Sequence, residues 1–247
     1  EIVGLGAMTA VVGSRGKEIN QHSPVPVTTG NSLTVYSSLR AFRDIVKKLG
    51  IDIHRQKIVI VGFPGSIGLA IARLLIQDGV RLILVSRGKT TPFIDRFLAN
   101  LDGEAKKRVE ISCDLKEALG EGRMVFSATS TGNIIDPDTL APGSIIFDIA
   151  QPRDVIQKKE KRKDVLVIDA GTISLPHTNS HGWHSISLPF FSFIPIPILP
   201  WQSREHFYIN YSGVGPIFIP SCLGETITLA LENRPESFSL GRELDLD

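Results

Sequence analysis

Cysteine is scarce: two among 247 residues, too few for a disulfide framework, so a reducing cytoplasm is the expected location. Net charge is scarce too. Lys and Arg number 27 against 26 Asp and Glu, a formal +1, which argues against a nucleic-acid binder. No basic stretch followed by a short apolar run opens the chain, so no secretory signal is expected. The first residue is Glu1 rather than Met, as expected of a piece of a longer protein. Charge is thinnest in one place: between Ala170 and Gly224 only Arg204 and Glu205 carry any. What is present is apolar. A hydrophobic content of 42% excludes intrinsic disorder, and the length allows one large domain with a substantial core.

Before residue 170, short β-branched runs alternate with amphipathic charged stretches. Strands are predicted at Lys57–Gly62, Val80–Ser86, Val109–Cys113, Arg123–Ala128, Ser144–Ile149 and Val165–Ile168. Helices are predicted at Leu33–Lys48, Ser66–Gln77, Pro92–Ala99 and Leu115–Leu119. This alternation implies βαβ units: an α/β, Rossmann-type doubly wound parallel sheet. The expected organisation is an N-terminal cap segment at 1–30, an NADP-binding Rossmann domain at 31–169 and an apolar C-terminal substrate or cap region at 170–247. Within the last, Ser185–Trp201 is strongly apolar, but prolines at 189, 195, 197 and 200 exclude an ordinary spanning helix. It reads as a stiffened segment packed on the core, or as the wall of an apolar substrate pocket or a membrane-touching lip.

The strand at Lys57–Gly62 runs into Gly62-Phe63-Pro64-Gly65-Ser66-Ile67-Gly68 and then a helix. The spacing is G-x-x-G-x-x-G rather than the usual dinucleotide fingerprint, so its weight comes from the strand–turn–helix context. That context places backbone N–H groups and a helix dipole at a pyrophosphate. An NAD-preferring site would put an acid about 20 residues past the glycines. Here the next strand ends Val85-Ser86-Arg87-Gly88-Lys89, with no acid between Asp78 and Asp95. A hydroxyl and two cations suit the extra 2′-phosphate, so NADP(H) is expected. Ala128, Thr129 and Ser130 end the fourth strand, where the nicotinamide would lie. With Asp148-Ile149-Ala150-Gln151-Pro152-Arg153 after the fifth, they resemble stretches of shikimate dehydrogenase and glutamyl-tRNA reductase.

Of the two cysteines, Cys113 closes a predicted strand and reads as a small buried residue. Cys222 follows Pro220 at a predicted helix start, where orphan amides and the helix dipole favour a thiolate. By local sequence it is equally a catalytic thiol or a core cysteine. The chain as a whole resembles the aldehyde-forming, cyanobacterial-type long-chain acyl-[acyl-carrier-protein] reductases. The resemblance runs through Gly4-Leu5-Gly6-Ala7-Met8-Thr9, Thr28-Thr29-Gly30-Asn31-Ser32-Leu33, Leu49-Gly50-Ile51-Asp52-Ile53, the glycine loop, Ile135-Asp136-Pro137-Asp138-Thr139-Leu140, the surroundings of Cys222, and Phe238-Ser239-Leu240-Gly241-Arg242. It implies that Cys222 accepts the acyl group of an acyl carrier protein or coenzyme A thioester, and that NADPH then reduces it to an aldehyde. Thr29 and Asn31 are candidate substrate contacts under this reading, with a helix cap at Asn31 and Ser32 as the alternative. The family carries further residues ahead of this chain's start, and the stretch from about 177 to 216 departs from its pattern. A small-molecule NADP-dependent dehydrogenase and a non-catalytic nucleotide-binding module are the alternatives.

His177, His181 and His184 fall in a predicted loop with no acid beside them, so loop histidines are expected there rather than a metal site, with an acid/base role for one of them as the alternative. Arg153 reads as facing the nicotinamide, a carboxylate or solvent. The basic run Lys158–Lys163 reads as a solvated loop, or as a docking patch for an acidic carrier protein.

Overall fold

The computed structural model describes residues 1–160, 162–175 and 217–244. An N-terminal strip holds β1 (Val3–Gly4), the turn α1 (Val12–Arg15), α2 (Lys17–His22) and β2 (Val27–Thr28), with β1 and β2 paired in parallel. The α1 turn is wound left-handed: φ is +55° at Gly13, +53° at Ser14, +57° at Arg15 and +80° at Gly16.

The central unit alternates as its sequence predicts. α3 (Asn31–Leu49) leads into β3 (Lys57–Val61), α4 (Ser66–Gln77), β4 (Arg81–Val85), α5 (Pro92–Ala99) and α6 (Gly103–Lys107). Then come β5 (Val109–Ser112), α7 (Leu115–Glu121), β6 (Met124–Ser127), β7 (Ile145–Asp148) and β8 (Leu166–Asp169). The six strands form one parallel sheet in the order β5-β4-β3-β6-β7-β8. The order reverses between β3 and β6, the switch point at which doubly wound sheets open a crevice.

Both faces of this sheet are covered, as parallel sheets require. Successive β3 residues point to opposite sides, and Ile58, Val59, Ile60 and Val61 are all buried. Ile58 and Ile60 join a core with Phe42, Phe126 and Phe147, whose ring centres lie 5.0–5.6 Å apart. Val59 and Val61 pack with Ala118, Leu119, Leu140 and Ile146 on the other face. β9 (Thr172–Leu175) pairs antiparallel with β10 (Ile217–Pro220), which runs into α8 (Ser221–Leu231). No described helix is long and apolar enough to cross a membrane.

Observed strands fall within one or two residues of the predicted bounds, and α4 and α5 match them. Two expectations fail. Cys113 is exposed, because β5 ends at Ser112 on the edge of the sheet and the next residue, Asp114, already caps α7. α3 begins at Asn31, so Asn31 and Ser32 lie inside it, Gly30 is the N-cap residue and no side chain of its own caps it. The segment Ser185–Trp201 and the three loop histidines lie outside the described residues.

Candidate active site

The crevice opens at the carboxyl ends of β3 and β6. Gly62 leaves β3 at φ +99°, and a Cβ there would lie 2.5 Å from the Ala128 carbonyl oxygen. Two neighbouring strand ends therefore meet at van der Waals distance only because this residue is glycine. Pro64 follows a cis peptide bond, and Gly65 turns the chain into α4. A Cβ on Gly65 would lie 2.8 Å from the Gly62 oxygen, and one on Gly68 3.3 Å from it. Gly65 brings no capping side chain, so the N–H groups of Ser66, Ile67 and Gly68 open the helix without an intrahelical acceptor. Such a bare, glycine-lined helix start fits a pyrophosphate. Ser66 is an exception in one respect: its hydroxyl donates to the Gly241 carbonyl at 2.8 Å, leaving only its N–H for a ligand.

Beyond β6, the loop through Ala128, Thr129 and Ser130 is held by a buried carboxylate. Asp154 accepts the Ser127 hydroxyl at 2.6 Å, the Thr129 hydroxyl at 2.5 Å and the Thr129 N–H at 3.0 Å. The Thr129 side chain is thus tied down, whereas Ser130 is exposed. Asp148 ends β7 and accepts the N–H groups of Ala150, Asp154 and Val155 at 3.1–3.3 Å. Burial outweighs those bonds and pushes its carboxyl up to about 6. These two aspartates hold the loops after β6 and β7 in place, a role that residue spacing did not reveal.

Cys222 stands on the same edge of the sheet. The Ser221 N–H donates to the Gly171 carbonyl at 2.8 Å, just past the carboxyl end of β8. The thiol is half-buried in the first turn of α8, under the N-terminal strip. A Cβ on Gly6 would lie 3.1 Å from its Sγ, and a Cβ on Gly30 2.2 Å from its Cα. Glu225, one turn on, is buried; it accepts the Thr28 hydroxyl and the Leu33 N–H, the latter at 2.8 Å, and so clamps the start of α3 to α8. The bias of a helix start towards thiolate is outweighed here. Burial pushes the Cys222 thiol up, and the Glu225 charge adds to it, against the N–H groups of Ala7, Leu223 and Cys222 that favour the anion. Desolvation exceeds the helix-end effect, so the resting group is a thiol.

A family model for shikimate / quinate 5-dehydrogenase matches residues 44–173, a span that contains the whole six-stranded sheet. The chain belongs to this family. Its Rossmann-type domain is that of a dehydrogenase or reductase, and the cofactor class is a nicotinamide dinucleotide. Among curated proteins, an aminotransferase, PigE, from a Serratia species is 37% identical over all of this chain and 26% of its own length. A long-chain acyl-[acyl-carrier-protein] reductase from Synechococcus elongatus is 30% identical over 65% of this chain and 45% of its own. A glutamyl-tRNA reductase from Streptococcus sanguinis is 28% identical over 50% and 28%. The chain thus spans between about a quarter and just under half of these relatives.

In this member of the dehydrogenase family the other expected residues are distributed as follows. Ser86 is buried at the end of β4 and its N–H bonds the Ser112 carbonyl, whereas Arg87 and Lys89 are exposed on the following loop. Thr29 is buried and its hydroxyl donates to the Ser239 carbonyl, so its side chain braces the C-terminal segment rather than facing a substrate. Asn31 is 8% exposed, beside Gly30, and its amide has no hydrogen-bond partner among the described residues. Arg153 pairs with Asp169 at 2.8 Å. In the basic run, Lys158 pairs with Asp136 and Asp138 and Arg162 with Asp164, so two of its five cations are neutralised locally. No cluster of three metal-ligating side chains occurs among the described residues.

Proposed function

We propose that this domain reduces a fatty acyl thioester, carried on acyl carrier protein or coenzyme A, to an aldehyde with NADPH. The observation that carries the reading is Cys222. It is a half-buried thiol at a helix start, on the same carboxyl edge of the sheet as the nucleotide crevice. The Synechococcus relative supports the thioester. The Serratia relative supports the aldehyde, because a carbonyl compound is what an aminotransferase aminates. The exposed Arg87 and Lys89, with no acid at the end of β4, support NADP(H).

In this scheme the Cys222 sulfur bonds to the thioester carbonyl carbon, and the carrier sulfur leaves with the thiol proton. The N–H groups at the start of α8 stabilise the oxyanion. Bound NADPH supplies hydride to the enzyme-held carbonyl. Water supplies a proton to the alkoxide so formed, and the thiohemiacetal collapses, its hydroxyl proton passing to sulfur as the aldehyde leaves. Ala128 to Ser130, braced by Asp154, hold the nicotinamide side of the crevice in place meanwhile.

Intact-mass spectrometry tests this directly. An acyl thioester without NADPH is expected to add one acyl mass to the wild-type chain and none to Cys222→Ala; no adduct with any acyl carrier or coenzyme A thioester overturns the scheme. Family membership favours a second reading, a small-molecule dehydrogenase with no covalent step. That reading requires activity to survive Cys222→Ala.

A further inference from the structure

Two arginines from opposite ends of the chain are tied to the nucleotide loop through one glycine. Arg15 is presented by the left-handed α1 turn, and Arg242 by the segment that follows α8. Gly241 ties both to the nucleotide loop. Its N–H donates to the Arg15 carbonyl at 2.9 Å, and its carbonyl accepts the Ser66 hydroxyl at 2.8 Å, at the first residue of α4. The Lys17 side chain crowds the same glycine, since a Cβ on Gly241 would lie 2.4 Å from Lys17 Cε. The Arg242 guanidinium carbon lies 4.5 Å from the centre of the Phe93 ring, in the first turn of α5. That turn directly follows the β4–α5 loop carrying Arg87 and Lys89, the place where a Rossmann domain receives the adenosine ribose.

Neither arginine has a carboxylate partner among the described residues. Burial and the neighbouring Arg242 charge hold the Arg15 guanidinium below its ordinary value. Ser14 and Arg15 are also left-handed, a conformation that penalises side chains other than glycine. Like charge and left-handed backbone are thus both tied, through Gly241, to a bare helix start, and a bound polyanion would offset that charge.

We propose that Arg15 and Arg242 form the cap side of a clamp on the 2′-phosphate of NADP(H), opposite Arg87 and Lys89. The inference rests on the NADP(H) reading above and deepens it. Two of the specificity residues then lie outside the family-matched span 44–173. The nucleotide also becomes a bridge between the cap and the sheet, because Ser239, two residues before Gly241, is bonded to Thr29 and Ser32 at the start of α3.

Titration calorimetry with 2′,5′-ADP and 5′-AMP tests the clamp without relying on turnover. The wild-type chain is expected to prefer 2′,5′-ADP. Arg242→Gln or Arg15→Gln is expected to weaken 2′,5′-ADP about ten- to a hundred-fold, the loss of a charge-assisted contact, while changing 5′-AMP less than about twofold. Arg242→Lys guards against misfolding of the Gln variants. It keeps the charge and loses the planar fork, so a selective weakening of about threefold or more supports the clamp. Unchanged 2′,5′-ADP affinity in the variants, with the wild-type preference intact, overturns the clamp and leaves NADP(H) use standing. Equal weakening of both nucleotides also overturns it, as a merely structural role would give. No wild-type preference for 2′,5′-ADP overturns both the clamp and the NADP(H) reading.

Discussion

Replacing Gly30 by alanine isolates the contact that seats Cys222. Gly30 has φ +72°, and an added Cβ would lie 2.2 Å from Cys222 Cα, 2.4 Å from its Cβ and 2.5 Å from its carbonyl oxygen. Two penalties combine. A left-handed residue other than glycine costs about 1–2 kcal/mol, and forcing a methyl group into a filled space costs about 1–3 kcal/mol. Gly50 supplies an internal control. It is also left-handed, at φ +61°, but nothing lies within 4 Å of its would-be Cβ. Gly50→Ala should therefore lose only the conformational part, about 1–2 kcal/mol, and Gly30→Ala about 2–5 kcal/mol. Denaturant unfolding measures the difference, and alkylation of Cys222 read by peptide mass spectrometry reports its local setting. Because the obstacle is backbone and Cβ rather than a flexible tip, α8 must move off α3, and the Cys222 alkylation rate should change. Equal destabilisation of the two variants, with Cys222 reactivity unchanged, would refute the close-packed seat.

The buried Asp148 makes a pH prediction. Its folded carboxyl is raised to about 6 from 3.8, so the folded state binds its proton more tightly than the unfolded chain. The contribution is complete below about pH 4 and is lost as pH rises through 6, a swing of at most about 3 kcal/mol. Asp148→Asn should accordingly gain stability relative to wild type between pH 4 and 7; a pH-independent difference in unfolding free energy would rule this out. Asp154→Ala leaves the Ser127 hydroxyl and the Thr129 N–H without their acceptor, and should cost about 3 kcal/mol or more by denaturant unfolding, with weaker nicotinamide nucleotide binding. Glu225→Gln removes the charge that helps hold the Cys222 thiol up, so iodoacetamide should label Cys222 faster at neutral pH. In the wild type, exposed Cys113 should be labelled first, and a faster Cys222 would contradict its burial.

Local sequence was enough for the sheet. Apolar runs with glycine and charged breaks located every strand of the Rossmann unit: the inner strands β3, β4, β6 and β7 are buried on both faces and so apolar almost throughout, while the half-exposed edge strands β5 and β8 are short β-branched runs between charged breaks. The glycine loop was legible for the same reason: strand, tight turn and helix start are consecutive in the chain. Cys222 could be found by its helix start, but its ionisation could not. The helix end is a local feature, whereas the burial that overrides it comes with neighbours such as Gly6 and Gly30, about two hundred residues away.

The order of short apolar runs determined a doubly wound α/β domain with its glycine-rich turn. Where charge ended up relative to that turn was decided only by the tertiary structure. In the basic run at 158–163, conspicuous in the sequence, Lys158 and Arg162 are paired with nearby aspartates. Arg15 and Arg242, unremarked by any local pattern, come together through Gly241 at the nucleotide loop. Charge pairing depends on distance in space, and residues more than two hundred positions apart carry no record of their proximity in their own neighbourhoods.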